Sequence, residues 1–440
     1  MPVAKPRQMH LGLFMQGAGH HVSGWRHPLA EFGGENLGLI QRIANTAEEG
    51  LFDMLFLADG LSSAADMHPS FVVRIEPIAL LSALAMTTKH LGLAATASTT
   101  YGEPYHVARA FASVDHLSGG RAAWNAVTTS YARSAANFTR GEHPSHDERY
   151  AIAEEFLDTV KGLWDSFADD AFPKDKDSGV YVRPDRIHTL NHEGKYFSVK
   201  GPLNSSRPPQ GHPVVIQAGS SLPGQRLAAR TADAVFTAQQ SLEESKAFCD
   251  SLARLMAEAG RARDTLHVMP GFCPVVGATE AEARAEFEKL QAGIDPVAAL
   301  RLLSDRIGHE LSGYNLDEPL PELPESEALQ SRARLLTQMA RRDNMTLRQL
   351  SNLVAGARGH RIVWGTPAQI ADTMQEWFEG GAADGFNIMP PYFPTQFERF
   401  VESVVPELQK RGLFRTAYEG NTLRENLGLQ RPKNRFFPEG

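Results

Sequence analysis

The chain has 440 residues, 42% of them hydrophobic and 22% charged, with a formal net charge of −8. That length buries a core without staples and holds either two average domains or one α/β barrel with insertions. The acidic balance gives no footprint for nucleic acid or an anionic membrane, and no apolar run reaches the roughly 18 residues of a membrane span.

Cys249 and Cys273 form neither a disulfide framework nor a metal spacing, and the N-terminus lacks a secretory apolar core, so a cytoplasmic chain is expected. Short apolar runs then alternate with amphipathic stretches. Residues 10–15 (HLGLFM) read as a strand, followed by a helix over 36–49 that Gly50 stops. Residues 52–58 predict a second strand and 77–87 a second helix, with Pro77 in its first turn. Residues 91–98 and 105–117 give a third pair, and 121–127 with 147–167 a fourth. The alternation breaks over 181–204, where Asn-His-Glu-Gly suggests a hairpin. It resumes with a strand at 213–218, a helix from 222, a strand at 234–238, a helix over 242–259 and a strand within 266–276. The last unit is a helix over 367–379, a strand at 385–389 and a helix over 396–410.

Strands separated by helices of this size imply parallel βαβ units. The fold expected is α/β, a (β/α)8 TIM barrel forming one domain over 1–440, with insertions at about 168–210 and 278–355. The second insertion reads as too polar for a core of its own, and the tail 412–440 as a wrap over the body or a neighbouring subunit, which makes a homodimer or homotetramer plausible. An open doubly wound sheet fits less well, because the first βα turn (QGAGHHVSGW) is long and opens no helix at its glycines.

In such a barrel the site lies where strands end and βα loops begin. Asp59 ends the second strand, where a carboxylate accepts from a ligand N–H or pairs with a loop cation. Ser98, Thr99 and Thr100 follow the third, offering hydroxyls to a ligand or to loop backbone. Asn125, near the end of the fourth, offers donor and acceptor together. His146 and Tyr150 stand at i, i+4 at a helix start, where anions are favoured. Gly219, Ser220 and Ser221 end the fifth strand and open a helix, the best phosphate cradle in the chain, though a bare helix cap has the same look. His20, His21 and His27 lie in the first loop, where one could donate a proton. No metal is expected: His143 and His146 lack convergent ligands. No Gly-x-Ser-x-Gly elbow supports a hydrolase. Arg26 or Arg133 could meet a substrate carboxylate.

The series GHH…WRHP, LFLAD, ASTTYGEPYHVAR, DHLSGGRAAWN, HDERY, HEGKYFSVKGPLN, QAGSS, VWGTP, DGFN and RTAYEGNTLRENLGL spans nearly the whole chain. In order and spacing it resembles the luciferase-like flavin monooxygenases, in the branch of the nitrilotriacetate, EDTA and dibenzothiophene-sulfone enzymes. The resemblance implies an FMN-binding barrel acting as the oxygenase of a two-component system. A separate NAD(P)H:FMN reductase would supply reduced FMN, and O2 would be the co-substrate. A small organic molecule containing sulfur or nitrogen would be oxygenated through a flavin hydroperoxide. It further implies that Asp59, Thr99 and Asn125 line the flavin ring and that Thr129 supplies a hydroxyl. His146 and Tyr150 would meet the ribityl or phosphate region, Gly219, Ser220 and Ser221 would hold the phosphate, and His20 would handle a proton. The first loop contains no cysteine, so a thiol mechanism is not implied. A deazaflavin-dependent hydride-transfer enzyme on the same barrel, or a flavin-binding protein without turnover, would be the alternatives.

Overall fold

Eight parallel strands close into a barrel in the computed structural model, which describes residues 7–65, 67–139, 141–323 and 330–438. In chain order the strands are β1 (His10–Met15), β2 (Met54–Leu57), β3 (Gly92–Ser98), β4 (Ala122–Val127), β5 (His192–Glu193), β6 (Ser198–Val199), β7 (Val214–Gln217), β8 (Ala234–Thr237), β9 (His267–Val276), β10 (Arg361–Gly365) and β11 (Gly385–Ile388). The barrel runs β1, β2, β3, β4, β7, β8, β9, β11, and closes where His10–Leu13 pair with Gly385–Ile388. β5 and β6 form the antiparallel hairpin expected from the break in alternation.

Side chains alternate across the barrel wall, as the strand period requires. Phe14, Phe56, Ala94, Ala123, Ile216 and Phe236 fill the lumen, while Leu13, Leu55, Leu93, Trp124 and Val215 pack outward against helices. The covering helices begin with α1 (Leu37–Glu49), α2 (Pro77–Ala85), α3 (Pro104–Ser118), α4 (His146–Trp164), α5 (Leu222–Thr231) and α6 (Leu242–Glu258). α1 shows why the pattern was readable: Asn36 caps Leu39 N–H, and the periodic Leu39, Ile43 and Ala47 are buried.

Two features differ from the sequence reading. The segment between β9 and β10 holds α7 (Glu280–Ala292), α8 (Pro296–Ile307), α9 (Gln330–Arg342) and α10 (Leu347–Ala357). It is not too polar for a core: Leu303, Leu336 and Leu350 are fully buried in a cluster of its own. Charged outer faces hid the narrow apolar stripe of each helix. The stretch quoted as GYNLDEPLPELPESE lies partly outside the described residues, from Pro324 onward. β10 was also missed, being a short, half-buried run that pairs with the upper half of β9 rather than within the barrel. After it come α11 (Pro367–Glu379), β11 and a helical run to Lys410.

The tail docks on its own barrel. Leu423, Leu427 and Leu429 join the lumen cluster from below, Arg415 pairs with the buried Asp53, and Arg424 meets Asp233 at 2.7 Å. The tail therefore stoppers the N-terminal end and carries no argument for an oligomer. Among the described residues no helix is long and apolar enough to cross a membrane, and no group of three or more His, Cys, Asp or Glu residues could hold a metal.

Candidate active site

A cleft opens at the C-terminal ends of β2, β3, β4 and β7. Its floor is set by register. Thr96 and Asn125 are partners across β3 and β4, and Asn125 Nδ2 donates to Thr96 Oγ1 at 2.8 Å while that hydroxyl donates to Leu57 O at 2.8 Å. Asn125 Oδ1 is left buried with no hydrogen-bond partner, as is Nε2 of Gln217, which lines the cleft from the end of β7. Such atoms cost about 1–3 kcal/mol each unless something meets them. The Gln217 donor in the lining, with the Asn125 acceptor on the residue bonded to lining Thr96, suits a heterocycle edge that alternates N–H and carbonyl groups.

The wall above is made of hydroxyls, and of the two the resemblance implied, Thr129 lines the cleft while Thr99 does not. Ser98 and Thr129 line the cleft, joined by a 2.7 Å hydrogen bond from Thr129 Oγ1 to Ser98 Oγ. Thr99 is fully buried and is not brought to the cleft; its N–H and its hydroxyl both donate to Val127 O. Thr100 likewise donates to Thr128 O. These two threonines stitch the β3 and β4 loops together and shape the wall from behind. Asp59 lies at the rim, 3.8 Å from Arg74 Nε, so its carboxylate faces the cleft and a loop cation at once.

The far end of the cleft is built by two helix N-termini, those of α4 and α5. Ser145 caps Glu148 N–H and Ser221 caps Gly224 N–H. Tyr150, on the first turns of α4, reaches across to α5, where Ser221 Oγ donates to its hydroxyl at 3.4 Å. A β-carbon at residue 219 would stand 2.8 Å from that hydroxyl, and one at residue 224 would stand 2.9 Å from it. A side chain at either position must displace the Tyr150 hydroxyl or crowd the facing glycine backbone, and the backbone is bare where an anion would approach. His146 packs beside Tyr150, with ring centroids 5.0 Å apart, while Ser220 faces an adjoining recess with His146 and Ser221.

Arg149, which the sequence reading passed over, lines the same end. Its Nη1 donates to His143 Nε2 at 2.9 Å, so His143 must carry its proton on Nδ1 and donate it to Tyr101 at 2.7 Å. Burial and the Arg149 charge hold His143 below its ordinary pKa, in keeping with that neutral tautomer. His143 is a support for an arginine, not a metal ligand.

His20 is not brought to the cleft either. It is fully buried behind Phe14 and Arg358; Arg358 Nη2 donates to Nδ1 at 2.7 Å, and Nε2–H donates to Phe14 O at 2.6 Å. Burial, then the Arg358 charge, pushes its pKa well below the ordinary value, and both nitrogens are engaged. His21 bonds to Ser23, and His27 stacks on Tyr392 and meets Glu286 at 3.1 Å, so these two also serve the loop. Arg358 and His360 instead face the space beside Asp59, from the Arg358-Gly359-His360 corner between α10 and β10. The sequence signal was present in GARGHR, a helix end followed by two glycine-flanked bases, but β10 was needed to place it.

The donor set fits FMN: the unmatched Gln217 donor in the lining with the Asn125 acceptor next to Thr96, hydroxyls along the wall, and two helix N-termini with Arg149, Tyr150 and bare glycines at the end.

Comparison with known proteins agrees. Residues 9–384 match the model of the luciferase-like monooxygenase family. The chain is 52% identical over 437 residues to N-acetyl-S-(2-succino)cysteine monooxygenase of Bacillus subtilis (strain 168), covering 98% of this chain and 99% of that one. It is 49% identical to nitrilotriacetate monooxygenase component A of Aminobacter aminovorans, covering 97% and 98%. Among solved structures it is similar to a riboflavin lyase holding modified FMN and riboflavin, with a TM-score of 0.88 at 32% identity and 97% of each chain covered.

Proposed function

The chain belongs to the luciferase-like monooxygenase family, and from that premise we propose that it is the oxygenase of a two-component system, fed with reduced FMN by a separate NAD(P)H:FMN reductase. The observation that carries the cofactor reading is a cleft with the buried, unmatched Gln217 Nε2 in its lining, the unmatched Asn125 Oδ1 on the residue bonded to lining Thr96, and a far end that suits a phosphate.

Asn125 and Gln217 would hold the ring edge, with Ser98, Thr129 and Asp59 along the wall and rim. Thr99 acts through the wall it braces. Gly219, Ser220 and Ser221 would hold the phosphate with His146 and Tyr150, and Arg149 adds its charge. When bound, reduced FMN supplies two electrons to O2, one atom of which enters the substrate while the other leaves as water. The chain's own work is to position the ring, exclude water and hold charge steady. His20 does this indirectly: as a neutral acceptor it fixes the Arg358 guanidinium, and so is a positioning residue. The insertion over the mouth, with its own core, would shield the reaction from bulk water.

The test couples the protein to a flavin reductase with NADH, FMN and 18O2, and examines candidate organic acids, sulfides and amines by mass spectrometry. Incorporation of one 18O atom that depends on both the protein and FMN supports the reading. Oxygen consumption that yields only hydrogen peroxide with every compound counts against it.

A further inference from the structure

A narrow pouch of about 40 Å³ lies between the barrel wall and the first two covering helices, at the C-terminal ends of β1 and β2. Met15 and Leu57 line it from the strands, Ile40 and Leu80 from α1 and α2. Gly17, Gly33 and Gly34 add bare backbone that is already close-packed, since a β-carbon at residue 33 would stand 2.9 Å from Gly17 O. At the outer end Ile75 N–H donates to Gly34 O at 3.2 Å, between the exposed Glu35 and Glu76. At the inner end Ala58 and Arg74 also line the space beside Asp59, which in turn shares Asp59 and Gly60 with the cleft. The three spaces follow one another from the outer loops to the candidate flavin site.

Three polar side chains enter the lining, and two of them are answered. Ser70 Oγ donates to Gly19 O at 2.9 Å and accepts from Ala18 N–H. Arg74 Nη2 donates to Phe71 O at 2.6 Å, and its Nε stands 3.8 Å from Asp59. Gln16 is 6% exposed; its Oε1 accepts from Arg358 Nη1, but its Nε2 is buried with no hydrogen-bond partner. One donor among apolar walls holds water poorly, because a buried water makes about two to four hydrogen bonds. A void left unfilled forfeits the contacts its walls would make. The pouch has room for a diatomic molecule and not for an organic one, and its chemistry suits an apolar gas that can accept one weak hydrogen bond.

We propose that this pouch is where the protein admits and holds dioxygen on its way to the cleft. The proposal rests on the cleft being the flavin site, since that is where reduced flavin and O2 would meet. Dioxygen is apolar and gains by leaving water for the walls made by Ile40, Leu57 and Leu80. Gln16 Nε2–H gives it one directional contact, and Ala58, a small side chain at the end of β2, leaves the inner passage open. A side path of this kind lets gas reach the cleft while the insertion covers the barrel mouth and keeps bulk water out. Ile75 and Leu80 set its width, one from the outer loop and one from α2.

Crystals of the flavin-free full chain, pressurised with xenon as the probe, test the site without any reaction. Xenon is expected in the pouch of the unaltered protein and absent from Ile75→Trp, whose half-buried position lets the ring fill the outer end without disturbing the core. Leu80→Phe narrows the same space from the helix. Stopped-flow reoxidation of protein-bound reduced FMN, followed against O2 concentration, should show a slope lower by about tenfold in Ile75→Trp. FMN affinity, read by fluorescence quenching, should be unchanged in both variants. Ordered water in place of xenon, or slopes unchanged in both variants, overturns the proposal and leaves the flavin reading standing. Failure of reduced FMN to bind the unaltered protein overturns both.

Discussion

Tyr150 and Gly219 occupy one another's space: the Tyr150 hydroxyl lies 2.8 Å from where a β-carbon on residue 219 would stand. The contact joins the first turns of α4 to the end of β7, and so brings two helix N-termini to one place. Gly219→Ala must move that hydroxyl or push on the Cα of Gly224, 3.1 Å from the same point. FMN affinity, measured by quenching of flavin fluorescence, is expected to fall about tenfold, or roughly 1.4 kcal/mol. Adding Tyr150→Phe to Gly219→Ala relieves the clash and recovers part of the loss.

Asn125→Ala separates binding from folding. It deletes one hydrogen bond to Thr96 but also deletes the unpartnered Oδ1, so the flavin-free protein changes stability by only about 1 kcal/mol. Affinity for FMN falls by about tenfold or more, because the ring loses its acceptor. Denaturant titration and flavin titration on the same preparation check the two halves.

His20→Ala removes a neutral acceptor from a buried guanidinium and a donor from Phe14 O. It is expected to destabilise the fold by about 2–4 kcal/mol, by urea midpoint. In a coupled assay it raises KM for substrate more than it lowers kcat, as befits a group acting through Arg358.

Acid weakens the fold in a defined window. Burial holds His20 well below 6.5, and His21 and His68 at about 3. The unfolded chain takes up these protons near pH 6.5 and the folded chain does not. Stability is therefore fully present above pH 6.5 and is lost as pH falls toward the folded pKa values, by about 1.4 kcal/mol per histidine for each unit. Urea midpoints at pH 7.5 and 5.0 should show the decline, and a midpoint that rose on acidification would contradict it.

Leu303→Ala tests whether the insertion holds itself together. Leu303 is fully buried in the insertion's own cluster, and its truncation costs about 2–5 kcal/mol locally. Limited proteolysis should then cut within residues 278–355 first, while FMN still binds the barrel.

The barrel was legible because its signals are periodic and local. HLGLFM, MLFL and VVIQ are buried strands that read directly as apolar runs, and α1 announces itself through Asn36, a 3.6-residue stripe and Gly50. The candidate cleft was legible where chemistry coincides with a strand end, as at Asp59 and Gly219, both in its lining. It was less so where register decides which side chain faces the cleft. Ser98 and Thr99 are neighbours of like chemistry, yet one lines the cleft and the other braces Val127. Arg149 and Arg358 were invisible as site residues because a single arginine in a helix or after one has no spacing to mark it. The insertion's core was masked by charge on the outer faces, and the role expected for His20 failed to anticipate Arg358 standing in front of it.

The proposed function requires that the β2–β7 cleft hold reduced FMN and govern its reaction with oxygen. Photoreduced FMN and the protein, mixed in a stopped-flow instrument with oxygenated buffer, test it directly through the return of oxidised-flavin absorbance. A protein-dependent phase distinct from free-flavin autoxidation is expected, lost in Gly219→Ala and Asn125→Ala at subsaturating FMN. Reoxidation identical with and without protein, at protein concentrations well above that of FMN, would contradict it.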